Sequence, residues 1–331
     1  MISLSYIIPT FNNLHLLKRC IKSIEGQLDV NDRVIIVDDG SNDNTYDYLL
    51  HNYSEKLNFI ILNQKNSGSG IARNYGLNQC NTDYLWFIDS DDYIEENASS
   101  MIKSSISKNN YDILFINYNW ILNGGTKKSI NTVFNTEDFN ELLLTKHYPW
   151  NKIIKRKIFE GVNFPNKKIR FQDHATIPVL LKKAQRIGSI KSSLYNYDSN
   201  HLNNISKDSS KNDDIYIACD YLVNYSNQGI FTEGELEIIL INTLLFAKLF
   251  NHSESNIKEI RADYLKIKKY LDVNTPKWKE SGIFKLSSSQ KYKHLITNIK
   301  IKICIGRIFK YSISATYLLV YILLRIKRVI M

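Results

Sequence analysis

Residues 84–94 read YLWFIDSDDYI, an apolar run from Tyr84 to Ile88 that ends abruptly in Asp89-Ser90-Asp91-Asp92. A short, near-continuous apolar run bounded by polar residues reads as a strand buried on both faces, the kind found in parallel sheets covered by helices. Three carboxylates within four residues repel one another unless a cation or strong donors neutralise them. Hard oxygen ligands suit Mg²⁺ or Mn²⁺, which keep open positions for substrate phosphates. The competing reading is a solvated acidic turn at the start of the next helix, where Asp is favoured by the helix dipole.

Toward the N-terminus the same pattern repeats. Leu4 to Pro9 is a short apolar run, after which Leu14, Leu17, Ile21, Ile24 and Leu28 recur at helical spacing, with Asn12 or Asn13 placed to cap that helix. Arg33 to Val37 and Phe59 to Leu62 read as further strands, Asp43 to Tyr53 and Ile71 to Cys80 as helices. Strand and helix alternating in this way define an α/β class, Rossmann-like, with a mostly parallel sheet flanked by helices. Ligands of such sheets sit beyond the carboxyl ends of the strands. The polar clusters Pro9-Thr10, Asp38-Asp39-Gly40-Ser41 and Asp89-Ser90-Asp91-Asp92 all fall there.

A carboxylate in Val37-Asp38-Asp39-Gly40-Ser41 can accept from a ribose hydroxyl or a base imide, or simply close an Asx-type turn. Asn66 to Asn74 (NSGSGIARN) is a Gly-rich loop opening a helix with an early arginine, Arg73, so amides, helix dipole and guanidinium together favour an anion. The loop matches neither the P-loop nor the dinucleotide fingerprint, which removes support for a P-loop ATPase and for a dinucleotide oxidoreductase.

Past residue 93 the pattern predicts a helix over Glu95 to Lys108, a strand over Asp112 to Tyr118, an irregular stretch to Asp173, a helix near Ala175 to Arg186 and a strand over Ile190 to Tyr197. From about Asp213 the chain reads as helical. Ile215 to Tyr225 comes first, then Glu233 to Phe250, which is apolar nearly all round and therefore expected to be buried.

Taken together and in this order, IIPTFNN (Ile7 to Asn13), IIVDDGSNDNT (Ile35 to Thr45), NSGSGIARNYGL (Asn66 to Leu77) and YLWFIDSDDYI resemble the nucleotide-sugar glycosyltransferases of family 2, which have the GT-A fold. The resemblance covers residues 1–206 and is strongest over 1–95. The expected organisation is a GT-A catalytic domain over 1–210, with a donor-binding half 1–95 and an acceptor half 96–210, then a helical region 211–290 and a C-terminal helix within 291–331.

The resemblance implies that Pro9, Thr10 and Asp39 contact the nucleoside of a UDP-sugar donor, with Asp39 accepting from the uracil ring. Arg73 would lie near the nucleotide and Asp89 would face the ribose or metal. Asp91 would be the principal ligand of Mn²⁺ or Mg²⁺. An inverting transfer also needs a carboxylate base opposite the departing diphosphate. Family members carry Glu-Asp before a helix where this chain has Gln172-Asp173-His174, which makes Asp173 the base, against the plainer role of a helix N-cap, and puts Gln172 on the acceptor side. Trp150-Asn151-Lys152 matches an acceptor-side segment, in which Trp150 either stacks on a sugar or simply packs. Tyr195-x-Tyr197 and Asn204-Ile205-Ser206 resemble a later family stretch, where His201 stands near the place of a missing Arg and could touch the diphosphate.

The charge has its own message. The chain carries 43 Lys+Arg and 33 Asp+Glu, a net of +10, yet nine of the basic residues and no acidic ones lie beyond residue 290, leaving 34 against 33 before it. Residues 311–324 (YSISATYLLVYILL) are uncharged and fall short of the roughly 20 needed to span a bilayer. An apolar helix with flanking aromatics and one-sided charge fits the interface of an anionic membrane, with docking on protein or subunit pairing as the alternative. Nucleic acid is excluded, because no stacking-aromatic module accompanies the charge. Cys20, Cys80, Cys219 and Cys304 show no C-x-x-C spacing and no signal-peptide pattern precedes them, so reduced thiols in a cytoplasmic protein are expected.

The expected activity is an inverting, metal-dependent transfer from a UDP-sugar to a lipid-linked (undecaprenyl diphosphate) oligosaccharide in bacterial O-antigen or capsule synthesis, on the cytoplasmic face of the inner membrane. The alternatives are another surface polymer, such as teichoic acid, and a non-catalytic nucleotide-sugar-binding scaffold on the membrane.

Overall fold

In the computed structural model, which describes residues 2–132, 136–200, 211–248 and 257–281, the first apolar run is strand β1 (Leu4–Thr10), every residue of it buried. It is followed by α1 (Leu14–Glu25), β2 (Arg33–Asp38), α2 (Thr45–Tyr53), β3 (Phe59–Asn63), α3 (Ser69–Asn78) and β4 (Tyr84–Phe87). Then come β5 (Tyr93–Ile94), α4 (Ala98–Asn109), β6 (Ile113–Ile121), β7 (Lys127–Ile130), α5 (Phe139–Leu143), β8 (Lys152–Lys155), α6 (Gln172–Lys183) and β9 (Ile187–Asp198). The chain divides into two compact units, the first being Met1–Asp138 with Thr145–Asp214, the second Phe139–Leu144 with Ile215–Met331.

Among the described residues of the first unit nine strands form one sheet, in the order β3-β2-β1-β4-β8-β6-β9-β5, with β7 on β6. β1 is parallel to β2 and β4, and β2 to β3. β8 runs antiparallel to both β4 and β6, while β6 is parallel to β9. It follows that β1, β2, β3, β4, β6 and β9 all end on one edge, and every polar turn named above opens there. Pro9 sits in a central strand, where a missing N–H is normally not tolerated. It is accommodated because β4 pairs only with Leu4 to Ile7, so the ladder on that side has already ended.

Helices cover both faces. One core cluster joins Leu17, Ile21 and Ile24 of α1 and Ile102 of α4 to Tyr6, Ile36 and Trp86 of the sheet. On the opposite face Ala72 of α3 packs with Ile35 and Val37. Gly76 permits that approach, since a Cβ there would stand 2.7 Å from Ile7 Cγ2.

Three expectations change. The cap of α1 does not come from Asn12 or Asn13; the Leu14 amide donates instead to Asp43 Oδ2 at 3.0 Å, from the loop after β2. The stretch expected to be irregular holds β7, α5 and β8. And α6 begins at Gln172, so Asp173 lies inside its first turn rather than ahead of it.

In the second unit α7 (Asp214–Asn227) and α8 (Glu233–Leu240) are separated by a turn, and Thr232 starts α8 with a capping box shared with Glu235. The helix widens into a π-helical segment, Ile241–Lys248. Leu236, Ile239, Leu240, Ile241 and Leu244 of this run are buried, as its apolar composition requires. Asn242 Nδ2 donates to Leu143 O of α5 at 3.0 Å, and α9 (Ile257–Asn274) ends with Trp278 Nε1 bonded to Asp272 at 2.8 Å. No helix among the described residues is long and apolar enough to cross a membrane. The basic tail, 291–331, lies outside the described residues, as do His201 and Asn204-Ile205-Ser206.

Candidate active site

At the ends of β1 and β2 the loops hold each other. The Asp39 amide donates to Thr10 O at 2.8 Å, Asn12 N to Ser41 Oγ at 2.8 Å, and Asn42 N to Asn12 Oδ1 at 2.7 Å. Gly40 makes the turn with φ +79, and a Cβ there would meet the Asn66 amide nitrogen at 2.9 Å. Asp38 is buried and structural: it accepts from the Ser41 amide and hydroxyl and from Asn63 Nδ2.

Asp39 has a different job. Its Oδ1 accepts from the Ser67 amide and from Gln64 Nε2, both at 2.7 Å, and its Oδ2 from the Gly68 amide at 2.8 Å. A carboxylate offers about four acceptor positions. Three are spent shaping the Gly-rich loop, which leaves one. Thr10 Oγ1, buried beside it, has no partner among the described residues.

Arg73, on α3, is also buried. One guanidinium nitrogen donates to Asp89 Oδ1 at 2.7 Å and the group lies 5.6 Å over the Phe164 ring. Arg73 therefore acts on the acidic turn, holding one oxygen of Asp89 and leaving the other available.

The acidic turn separates its three carboxylates. Asp92 is buried with both oxygens engaged, accepting from Tyr195 Oη at 2.6 Å and from the Asp198 amide at 2.8 Å, while Tyr195 Oη itself accepts from the Asp89 amide. Arg19 of α1 straps the turn from outside, donating to Asp91 O and to Asp198 Oδ2. Among the described residues no side chain donates to the Asp91 carboxylate. Burial first, then the negative charge of Asp89, pushes it up to about 7.

Two groups of this turn could hold a divalent cation. Asp91 and the second oxygen of Asp89 are hard donors with surplus negative charge, and no group of three or more His, Cys, Asp or Glu converges to cage an ion among the described residues. An ion held by one or two carboxylates keeps positions for phosphate oxygens.

Gln172 opens α6 and packs against Gly70, and its Nε2 donates to Ser69 Oγ at 2.7 Å. It faces the Gly-rich loop. Asp173 follows, half-buried, in the first helical turn, and among the described residues no hydrogen bond ties its carboxylate.

All three residues of the segment Trp150-Asn151-Lys152 are buried. Trp150 is only 3% exposed and stacks on Tyr148 and Tyr195 at 4.7 and 4.6 Å, so it has no open face for a sugar. Lys152 is buried and donates to Lys146 O, Tyr148 O and Asn151 Oδ1, clamping the loop before β8. Burial pushes its ammonium down to about 7, with the charge of Asp173 acting against that shift.

Sequence reasoning missed Arg19, Asp198 and the bonding role of Tyr195. The signal for Arg19 was its place next to Cys20, at the border of the buried face of α1. For Asp198 it was an acid directly closing a strand.

The fold is of GT-A architecture. Residues 5–175 match the model of glycosyl transferase family 2, and the chain belongs to that family; it is a glycosyltransferase. The glycosyltransferase GlyG of Streptococcus pneumoniae is 27% identical over 213 residues, which cover 59% of this chain and 70% of GlyG. The poly(ribitol-phosphate) beta-N-acetylglucosaminyltransferase TarP of Staphylococcus aureus is 33% identical over 121 residues, 36% of this chain and 37% of TarP. The crystal structure of S. aureus TarS 1-349 in complex with UDP-GlcNAc superposes with a TM-score of 0.68 at 19% identity, covering 92% of this chain and 90% of that one.

Proposed function

We propose that the chain transfers a sugar from a UDP-sugar, with inversion, to a lipid-linked (undecaprenyl diphosphate) oligosaccharide of a bacterial surface polymer such as O-antigen or capsule. The observation that carries this reading is the Gln172–Ser69 hydrogen bond, which joins the Gly-rich loop to the helix that presents Asp173. The TarS structure with UDP-GlcNAc supports a UDP-sugar as the donor to test first.

In this reading Pro9 and Thr10 line the nucleoside end, and Asp39 offers its remaining acceptor position to the uracil imide. Arg73 holds Asp89 in place through its guanidinium. Asp91, with Asp89, would hold Mn²⁺ or Mg²⁺, which when bound supplies positive charge to the departing diphosphate. Asp173 takes the proton of the acceptor hydroxyl as its oxygen bonds to the anomeric carbon; the bond to UDP breaks and UDP leaves with the electron pair. Residues 291–331 would hold the enzyme on the anionic cytoplasmic face of the membrane. A teichoic acid acceptor is the second reading, favoured by the likeness to TarP.

The test is a donor screen of UDP-, GDP- and dTDP-sugars with a lipid-linked GlcNAc acceptor, with Mn²⁺ or with EDTA. UDP release from at least one UDP-sugar, abolished by EDTA, is expected. No turnover of any UDP-sugar with Mn²⁺ would overturn the reading. Deleting 291–331 should release the protein from anionic liposomes, and its persistence there would remove the anchor role.

A further inference from the structure

The aromatic residues around Trp150 form a row that starts beside the base and ends in the open. Tyr148 lies close enough to Asp173 for that carboxylate, after burial, to push its phenol up. Tyr148 stacks on Trp150 at 4.7 Å, Trp150 on Tyr197 at 5.7 Å, and Tyr197 contacts Trp120 at 6.4 Å. The first three rings are buried or half-buried, whereas Trp120 is 38% exposed.

Trp120 is held in place. Its indole N–H donates to Ser199 Oγ at 2.7 Å, which fixes the ring plane and satisfies its polar atom. In the sheet register its neighbours are Tyr197 of β9 on one side and Lys128 of β7 on the other, and Lys128 is exposed. β6 and β9 both run toward the edge where the acidic turn opens, so this row stands on the catalytic side of the sheet.

A pyranose ring presents a face of C–H groups with hydroxyls at the rim. An oriented aromatic ring matches that face, and flanking donors match the rim. A membrane or an apolar helix would need a wider apolar surface than Trp120 and Leu122, each 38% exposed and set among Lys127, Lys128 and Ser129 of the same hairpin. We propose that Trp120, flanked by Lys128 and Tyr197, is a stacking subsite for a pyranose ring of the acceptor glycan, remote from the reacting hydroxyl. The inference rests on the glycosyl-transfer reading for the identity of that glycan as acceptor; the subsite itself does not.

The experiment titrates the full chain with chitotetraose and cellotetraose, followed by saturation-transfer NMR, and with UDP by calorimetry in the same preparations. Wild type is expected to bind at least one tetraose. Trp120→Ala should weaken that binding about tenfold, Trp120→Phe should stay within about threefold, and UDP affinity should be unchanged in both. Tetraose binding by Trp120→Ala equal to wild type, or no tetraose binding by wild type, would overturn the proposal. So would parallel loss of sugar and UDP binding in both variants, which would make Trp120 a packing residue. Tetraose binding through Trp120 with no UDP binding by wild type would uphold the subsite and count against the donor reading instead.

Discussion

Gln172 Nε2 donates to Ser69 Oγ at 2.7 Å, across 103 residues of sequence, and ties the helix carrying Asp173 to the loop that Asp39 shapes. Removing this bond should loosen donor binding and base placement together. Gln172→Leu is expected to raise the donor KM about five- to tenfold, the equivalent of one lost hydrogen bond. Gln172→Glu can accept from Ser69 and should remain within about threefold. Steady-state kinetics on both variants check this; unchanged KM in Gln172→Leu would show that the tie does no work in binding.

The Arg73–Asp89 pair joins a guanidinium side chain 6% exposed to a carboxylate 30% exposed. Arg73→Met should destabilise the fold by about 3 kcal/mol, because one partner of a largely buried pair is left uncompensated. The double variant Arg73→Met/Asp89→Asn should recover part of that loss. Urea unfolding of the three proteins measures it, and equal stability of the single and double variants would contradict the account.

Tyr195 Oη accepts from the Asp89 amide and donates to Asp92. Tyr195→Phe leaves both groups short of a partner and should cost about 1–3 kcal/mol. The same unfolding assay applies, and a change below about 0.5 kcal/mol would mean water replaces the hydroxyl without penalty.

Lys152, pushed down to about 7 by burial, gives a pH dependence with a definite sign. Between about pH 7 and the unfolded value near 10.4 the unfolded chain binds more protons than the folded one, so stability rises with pH there. The contribution cannot exceed about 1.4 kcal/mol per pH unit. Lys152→Met will be less stable throughout, since Lys146 O, Tyr148 O and Asn151 Oδ1 lose their donor, but its stability profile should be flatter from pH 7 to 9. A slope equal to wild type would remove Lys152 as the source.

The N-terminal half of the fold is legible in the sequence because its strands are uninterrupted apolar runs and each ends in a polar cluster. Strand β8 is not, since KIIK begins and ends in lysine, and only the structure reveals that Lys152 turns inward onto three oxygens. The acidic turn was legible as a group but not in its division of labour: Asp92 is consumed by Tyr195 and Asp198, which come from a strand more than 100 residues away. Trp150 and Trp120 are the same residue type, and local sequence alone does not say which is covered. The decision is made by Tyr148, Tyr195 and Tyr197, which close over Trp150 and leave Trp120 at the rim.

The most direct measurement compares Asp173→Asn with wild type for turnover of the UDP-sugar and for UDP affinity. Asparagine keeps the shape but not the basicity, so turnover should fall at least about 100-fold while the UDP Kd stays within about twofold. Turnover within about threefold of wild type, or equal loss of turnover and UDP binding, would contradict Asp173 as the base.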